Sequence, residues 1–254
     1  MKVFIAVVSH LHSELINEID CLNSLHSKFT VVVKSNKEGD DFDNMKFLWL
    51  NSDFSLGFGE NNNFIFNYCR SNLGMKDDDY FIVLNPDVDI KTDQIEKLIL
   101  LMLERNNSIA AVNLYKDKTK LIYDDSVRHF PKLKDFVSSF ILKKNNTIVD
   151  KSIVVEPSII DWAAGSFLAF KSGHYRELCG FDEGYFMYCE DIDICFRSYK
   201  KNQPVIYFPS VEGIHLAKHA NRKIMSKHFY WHVSSIIRFL FSKRGLTKPK
   251  SSVR

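Results

Sequence analysis

Acidic residues stop at Glu212: no Asp or Glu follows it, while ten Lys and Arg do. Residues 1–212 therefore carry 24 basic and 31 acidic groups, a balance of −7, under a net charge of +3 for the whole chain. An acidic body without a recognised nucleic-acid motif argues against a nucleic-acid-binding module and leaves the basic end to be explained separately. The five cysteines (21, 69, 179, 189 and 195) form no CxxC pair and are odd in number. That pattern excludes a complete disulfide framework and fits reduced thiols in the cytoplasm. No apolar run approaches the 18 or so residues of a membrane span, and the N-terminal KVFIAVV is too short for a secretory core. Internal repeats and low-complexity linkers are missing too.

What is present is an alternation. VFIAVVS (3–9) is a continuous apolar run, as expected of a buried parallel strand. Helical spacing follows over 12–27, then strands at 29–33 and 46–50, a helix over 60–72, a strand at 80–84, a helix over 93–105 and a strand at 109–114. Residues 115–160 are less regular, with one amphipathic helix around Phe136–Leu142. GSFLAF (165–170) and VIYF (205–208) read as further strands around a helix over 192–200. This predicts an α/β fold, a mostly parallel central sheet flanked by helices, over residues 1–222. Its ligand crevice lies at the carboxyl ends of the strands. Residues 223–254 form an appended amphipathic, basic helical segment.

Four stretches can carry chemistry. LNPDVDI (84–90) leaves a buried strand at the ligand-binding end. In extended chain Asn85, Asp87 and Asp89 project to one side, which suits a hard divalent cation; a plain Asn-Pro-Asp turn is equally open. SLGFGENNNF (55–64) offers two glycines for close backbone approach and asparagines at a helix start, for an anion or for ordinary capping. No Lys-Ser/Thr follows the second glycine, so it is not a P-loop.

In YFMYCEDIDICFR (185–197), Ile192, Cys195, Phe196 and Tyr199 share one helical face, and Asp193 and Arg197 are a structural i,i+4 pair. Glu190 and Asp191 fall in the first turn, where the helix dipole favours ionised carboxylates suited to proton removal, or merely decorates a helix start. GIHLAKHANRK (213–223) brings His215 and His219, either one a metal ligand or a surface residue. No HExxH context supports a zinc pair.

Taken in order, GFGENNN, DDDYFIVLNPD, SVRHFP, DWAAGSF, GYFMYCEDIDICFR and IHLAKHANR make the chain resemble the inverting family 2 glycosyltransferases of the GT-A fold, and within them the O-antigen rhamnosyltransferases. The resemblance covers nearly the whole chain. It implies a nucleotide-sugar donor, dTDP-L-rhamnose, and a polyprenyl-diphosphate-linked acceptor bearing N-acetylglucosamine; UDP-galactofuranose or a UDP-hexose is the alternative donor. It implies Asp191 as general base with Glu190 beside it, and Mg2+ or Mn2+ held by Asp87 and His215, with Asp89 as a secondary ligand. It places Ser9, Ser35, Asn36, Gly57, Phe58, Asn63, Asn85 and Asp87 on the donor side and Asp161, Trp162 and Gly165 beneath the acceptor. Relatives commonly carry Asp-Asn where this chain has Ser35-Asn36, so base reading here lacks a charge.

The tail segment KIMSKHFYWHVSSIIRFLFSKR (223–244) combines aromatic and aliphatic groups with cations and no acid. Two readings are open. It lies on the anionic cytoplasmic face of the inner membrane as a peripheral contact, or it packs on the body as a C-terminal helix.

Overall fold

The computed structural model describes residues 1–136, 146–216 and 227–254. The helix expected around Phe136–Leu142 lies, beyond Phe136, outside the described residues, as does His219.

The first half builds as its apolar runs predict. Strands β1 (Val3–Ser9), β2 (Thr30–Ser35), β3 (Leu48–Leu50) and β4 (Tyr80–Leu84) pair in parallel in the order β3-β2-β1-β4. All seven residues of β1 are buried because helices cover both faces of the sheet. The single helix expected over 12–27 is two, α1 (Ser13–Ile19) and α2 (Cys21–His26). Asp20 takes a φ of 53° between them, and that left-handed step turns Ile16 rather than Leu15 to the core. Helix α3 (Phe58–Asn72) starts at Gly57, whose N–H donates to Glu60 at 3.4 Å. Helix α4 (Thr92–Glu104) buries Ile95, Leu98, Ile99 and Met102 against the opposite face.

The second half departs from a simple alternation. Strand β5 (Val88–Asp89) follows β4 directly, and β6 (Ile109–Tyr115) follows α4. Two-residue strands β7 (Val127–Arg128) and β9 (Trp162–Ala163) form a separate antiparallel ribbon, while β8 (Ser158–Ile160) pairs with the start of β11 (Val205–His215). Strand β10 (Phe167–Lys171) inserts antiparallel between β4 and β6, with Phe167 opposite Leu84. An antiparallel strand in that slot starts where its neighbours end, so residues 161–166 enter the sheet at the crevice. The final turns of β11 pair Ile214 with Asp89 and His215 with Val88. That brings the last strand to the turn after β4.

Helix α5 (Ser172–Glu177) follows β10, and α6 (Glu190–Lys200) precedes β11. Helix α7 (Lys227–Lys243) packs on α6 and contributes Ile236 and Phe239 to the cluster that holds Phe66, Phe81, Phe170 and Tyr175. Val253 joins the same cluster. Helix and tail thus share one core with the body.

Candidate active site

The turn at the end of β4 decides which acids face the crevice. Val88 N–H donates to Asn85 O at 3.1 Å, so residues 85–88 bend instead of alternating. Asp87 comes to 3.5 Å from His215 Nε2, and Leu216 N–H donates to its backbone oxygen at 3.1 Å. Asp89, expected on the same side, pairs with Ile214 and lines a different hollow with Cys21, Ser24 and Lys28. The candidate metal set is therefore corrected to Asp87 and His215.

His215 Nδ1 lies 3.1 Å from Asp124 Oδ2, and the other oxygen of Asp124 accepts from Ser126 Oγ at 2.6 Å and pairs with the buried Lys151. Burial disfavours charge on His215, but the hydrogen bonds its ring donates to Asp124 and Asp87, with the charges of both, outweigh it and raise the ring to about 9. A ring held by a carboxylate through Nδ1 presents Nε2 outward, the arrangement typical of a metal-ligating histidine. Asp87 and His215 thus fit a divalent cation as two of its ligands. Among the described residues no group of three or more His, Cys, Asp or Glu could hold a metal alone, so substrate oxygens and water would complete the shell. Asp124, Ser126 and Lys151 were not singled out by sequence reasoning. Asp124 sits two residues before the SVRHFP stretch, yet no spacing connects it with His215.

Glu190 and Asp191 open α6, as their position after the apolar run predicts. Asp191 Oδ2 accepts from Gly165 N–H at 3.2 Å and Oδ1 from Ile192 N–H at 2.8 Å. Burial raises Asp191; the two amides and the charge of Arg128 oppose that rise without cancelling it. Glu190 is pushed well above the usual carboxylate range, first by burial and then by the charge of Asp191. At Glu190 burial works against the helix dipole, which favours the ionised form. Asp193 bonds Arg197 Nε at 2.7 Å and accepts from Ser242 Oγ at 2.7 Å, a structural role as its spacing predicts.

Both acids line a cavity of about 290 Å³ together with Arg128, Trp162, Tyr188 and His232. Trp162 donates to His129 O at 2.9 Å, and the Arg128 guanidinium lies 5.4 Å from its ring centre. Asp161 accepts from Phe130 N–H at 2.8 Å, so it braces the wall beside the cavity. Gly165 has no room for a side chain: a Cβ would stand 2.8 Å from the Phe58 ring.

The donor-side expectations divide. Gly57 is required by close approach, since a Cβ would lie 2.7 Å from Phe186 O, and Phe58 N–H donates to that oxygen at 2.9 Å. The loop before α3 is thereby fastened to the stretch leading into α6. Ser9 Oγ accepts from His12 N–H at 3.0 Å. The hydroxyl of Ser35 is consumed, donating to Asp40 at 2.9 Å and accepting from Trp49 Nε1 at 2.9 Å. Asn36 clamps the backbone of Leu56 through both its amide atoms. Asn63 bonds Phe181 N and O, Tyr175 Oη and Glu183. Ser35, Asn36 and Asn63 therefore position the donor-side loops with side chains already committed to protein partners.

The cavity reaches Asp191 but not Asp87; a single dipeptide ties the two. Gly165 N–H donates to Asp191, and the carbonyl of the next residue, Ser166, accepts from Asn85 N–H at 3.0 Å.

No protein-family profile matches the chain. It is 36% identical over 250 residues to the rhamnosyltransferase WbbL of Escherichia coli, spanning 96% of this chain and 95% of that one. It is 30% identical over 175 residues to an N-acetylglucosaminyl-diphospho-decaprenol L-rhamnosyltransferase of Mycobacterium tuberculosis, spanning 66% of this chain and 57% of that one. Solved structures share the fold at low identity. The enzyme GalNAc-T7 with UDP, GalNAc and Mn2+ matches with a TM-score of 0.62 at 10% identity, over 94% of this chain and 47% of that one. TarS of S. aureus in complex with UDP-GlcNAc matches with a TM-score of 0.56 at 12% identity, over 95% and 66%.

Proposed function

The chain belongs to the glycosyltransferase family of the rhamnosyltransferase WbbL, on the GT-A fold, and from that premise we propose that it moves L-rhamnose from dTDP-L-rhamnose to a hydroxyl of N-acetylglucosamine on a polyprenyl diphosphate. The observation that carries this reading is the tie through Gly165 and Ser166. It joins Asp191, the carboxylate we assign to proton removal, to the turn after β4 that carries Asp87, and His215 at the end of β11 lies 3.5 Å from Asp87.

In the proposed reaction the acceptor oxygen forms a bond to the anomeric carbon of the donor while its proton passes to Asp191. The bond from that carbon to the phosphate oxygen breaks, and the nucleoside diphosphate leaves with the electron pair, inverting the anomeric centre. Mg2+ or Mn2+ between Asp87 and His215 would supply charge neutralisation for the diphosphate. Trp162 provides an apolar face for the acceptor sugar, and the Gly57–Phe58 loop holds the donor side in place. Such alignment is worth about 7–11 kcal/mol in favourable systems.

The donor identity is tested with a panel of dTDP-L-rhamnose, UDP-galactofuranose and UDP-hexoses, a lipid-linked acceptor, and EDTA in parallel. Transfer from dTDP-L-rhamnose that EDTA abolishes and Mn2+ restores is the expected result; transfer from a UDP-sugar alone moves the assignment to the alternative donor. A lipid-linked acceptor also implies an anionic membrane surface as partner, the role proposed for the basic C-terminal segment.

A further inference from the structure

Glu190 stands out among the acids of the site because it is only 6% exposed, lines the cavity, and its Oε2 has no hydrogen-bond partner. Its neighbour differs in kind: both oxygens of Asp191 accept backbone N–H groups. Two adjacent carboxylates in one hollow repel, and the pair holds a shared proton most cheaply on the member with the poorer anion environment. That member is Glu190. The groups facing the pair are consistent with one negative charge. Arg128 approaches from β7, His232 from α7, and Tyr188 and Cys189 from the approach to α6. Asp135 and, along α6, Asp193 add negative charge that disfavours a second anion. A buried carboxylate oxygen without a donor is costly as an anion and far less so when it carries a proton, and the residue that bears it borders the cavity that also reaches Asp191.

We propose that Glu190 carries its proton at neutral pH and donates a hydrogen bond to an oxygen of the acceptor sugar, leaving Asp191 as the single ionised carboxylate of the pair. The inference rests on the glycosyltransferase reading of the cavity, but its first test does not. The carboxylic acid form of Glu190 gives its own carbonyl band in the infrared spectrum of the free enzyme at neutral pH, and Glu190→Gln removes that band. Absence of a band sensitive to Glu190→Gln overturns the proposal whatever the enzyme transfers.

Kinetics supply the second test. Gln is neutral and still a donor, so Glu190→Gln lowers kcat by less than about tenfold. Glu190→Ala, which loses the donor, raises the acceptor KM by roughly tenfold and leaves the donor KM within about twofold. Asp191→Asn lowers kcat on the order of a thousandfold. A Glu190→Gln enzyme as inactive as Asp191→Asn, though folded by thermal denaturation, shows that Glu190 works as an anion and overturns the proposal. Failure of every donor in the panel with the infrared band present strikes the proposed function and leaves the protonation state standing.

Discussion

His215 can offer only one nitrogen to a ligand, because Asp124 holds the other at 3.1 Å. Asp124→Asn keeps the shape of the side chain but weakens that grip and the charge behind it. The expected result is a 10–100-fold rise in the Mn2+ concentration needed to restore an EDTA-stripped enzyme, by the usual effect of such outer partners, roughly that size. On the base, the sign of the pH dependence follows from what proton removal requires. As the proposed base Asp191 must be ionised, and burial raises it, so the proposal has transfer fall as pH drops through a value above that of an ordinary aspartate. Arg128 opposes that rise, so Arg128→Met moves the acid limb of kcat/KM to higher pH, and Arg128→Lys largely restores it. Residues of this kind were legible unevenly. Asp87, Asp191 and His215 stand where short motifs meet element ends, which makes them candidates; the residues alone leave a plain turn, an acidic helix start and a surface histidine open, and their roles are what the family resemblance implies. Ser35, Asn36 and Asn63 look equally chemical in one dimension, but a polar side chain does not disclose whether protein atoms already occupy its hydrogen bonds. Asp124 and Lys151 escape notice for the opposite reason, since their meaning lies wholly in a partner far along the chain.

At the scale of elements, the α/β alternation was readable because buried strands such as YFIVL are uninterrupted apolar runs and the helices keep their spacing. The direction of β10 was not, since FLAF is equally apolar whichever way it runs. That direction matters: it delivers Gly165 and Ser166 to the crevice. The break at Asp20 carries no glycine or proline to announce it, and β7 and β9 are too short to show a period. Asn63 shows how α3 and the stretch before α6 are bound together. It donates to Phe181 O at 2.8 Å and accepts from Phe181 N–H at 2.9 Å and Tyr175 Oη at 2.7 Å, all in the core. Asn63→Ala strands these partners without water. The expected loss is about 2–4 kcal/mol in urea denaturation, a few unpaired buried groups at about 1–3 kcal/mol each with partial relaxation. Tyr175→Phe, which removes one of those partners and leaves Asn63 Oδ1 bonded to Phe181, costs less.

The molecule as a whole is polarised, with every acid at or before Glu212 and ten cations after it. Of the two readings of its C-terminal helix, packing on the body is the one the structure shows, and a surface contact remains a proposal for the side left exposed. One side of α7 is seated, with Phe239 in the core, Ser235 donating to Met187 O at 2.8 Å and Arg238 bonded twice to Asp182. The other side shows Tyr230 at 72% exposure, Ile237 at 49% and Phe241 at 43%, a stripe at helical spacing. Beyond it Arg244, Lys248, Lys250 and Arg254 are exposed. Among the described residues no helix is long and apolar enough to cross a membrane. A surface contact would draw on that stripe and on cations worth at most about 1 kcal/mol each near anionic lipid. His232, from the same helix, lines the cavity with Asp191, so docking through α7 would set the acceptor site close to the headgroups. Deleting α7 cannot test this, because it would strip Ile236 and Phe239 from the core. Replacing Tyr230, Ile237 and Phe241 together by Ser leaves the seated face intact. The expected outcome is co-sedimentation of the parent protein with phosphatidylglycerol vesicles but not with phosphatidylcholine, weakened by high salt. The triple variant should lose it without a fall in Tm. Retention on the anionic vesicles by the triple variant would remove the apolar stripe from the account and leave the cations alone to hold the surface.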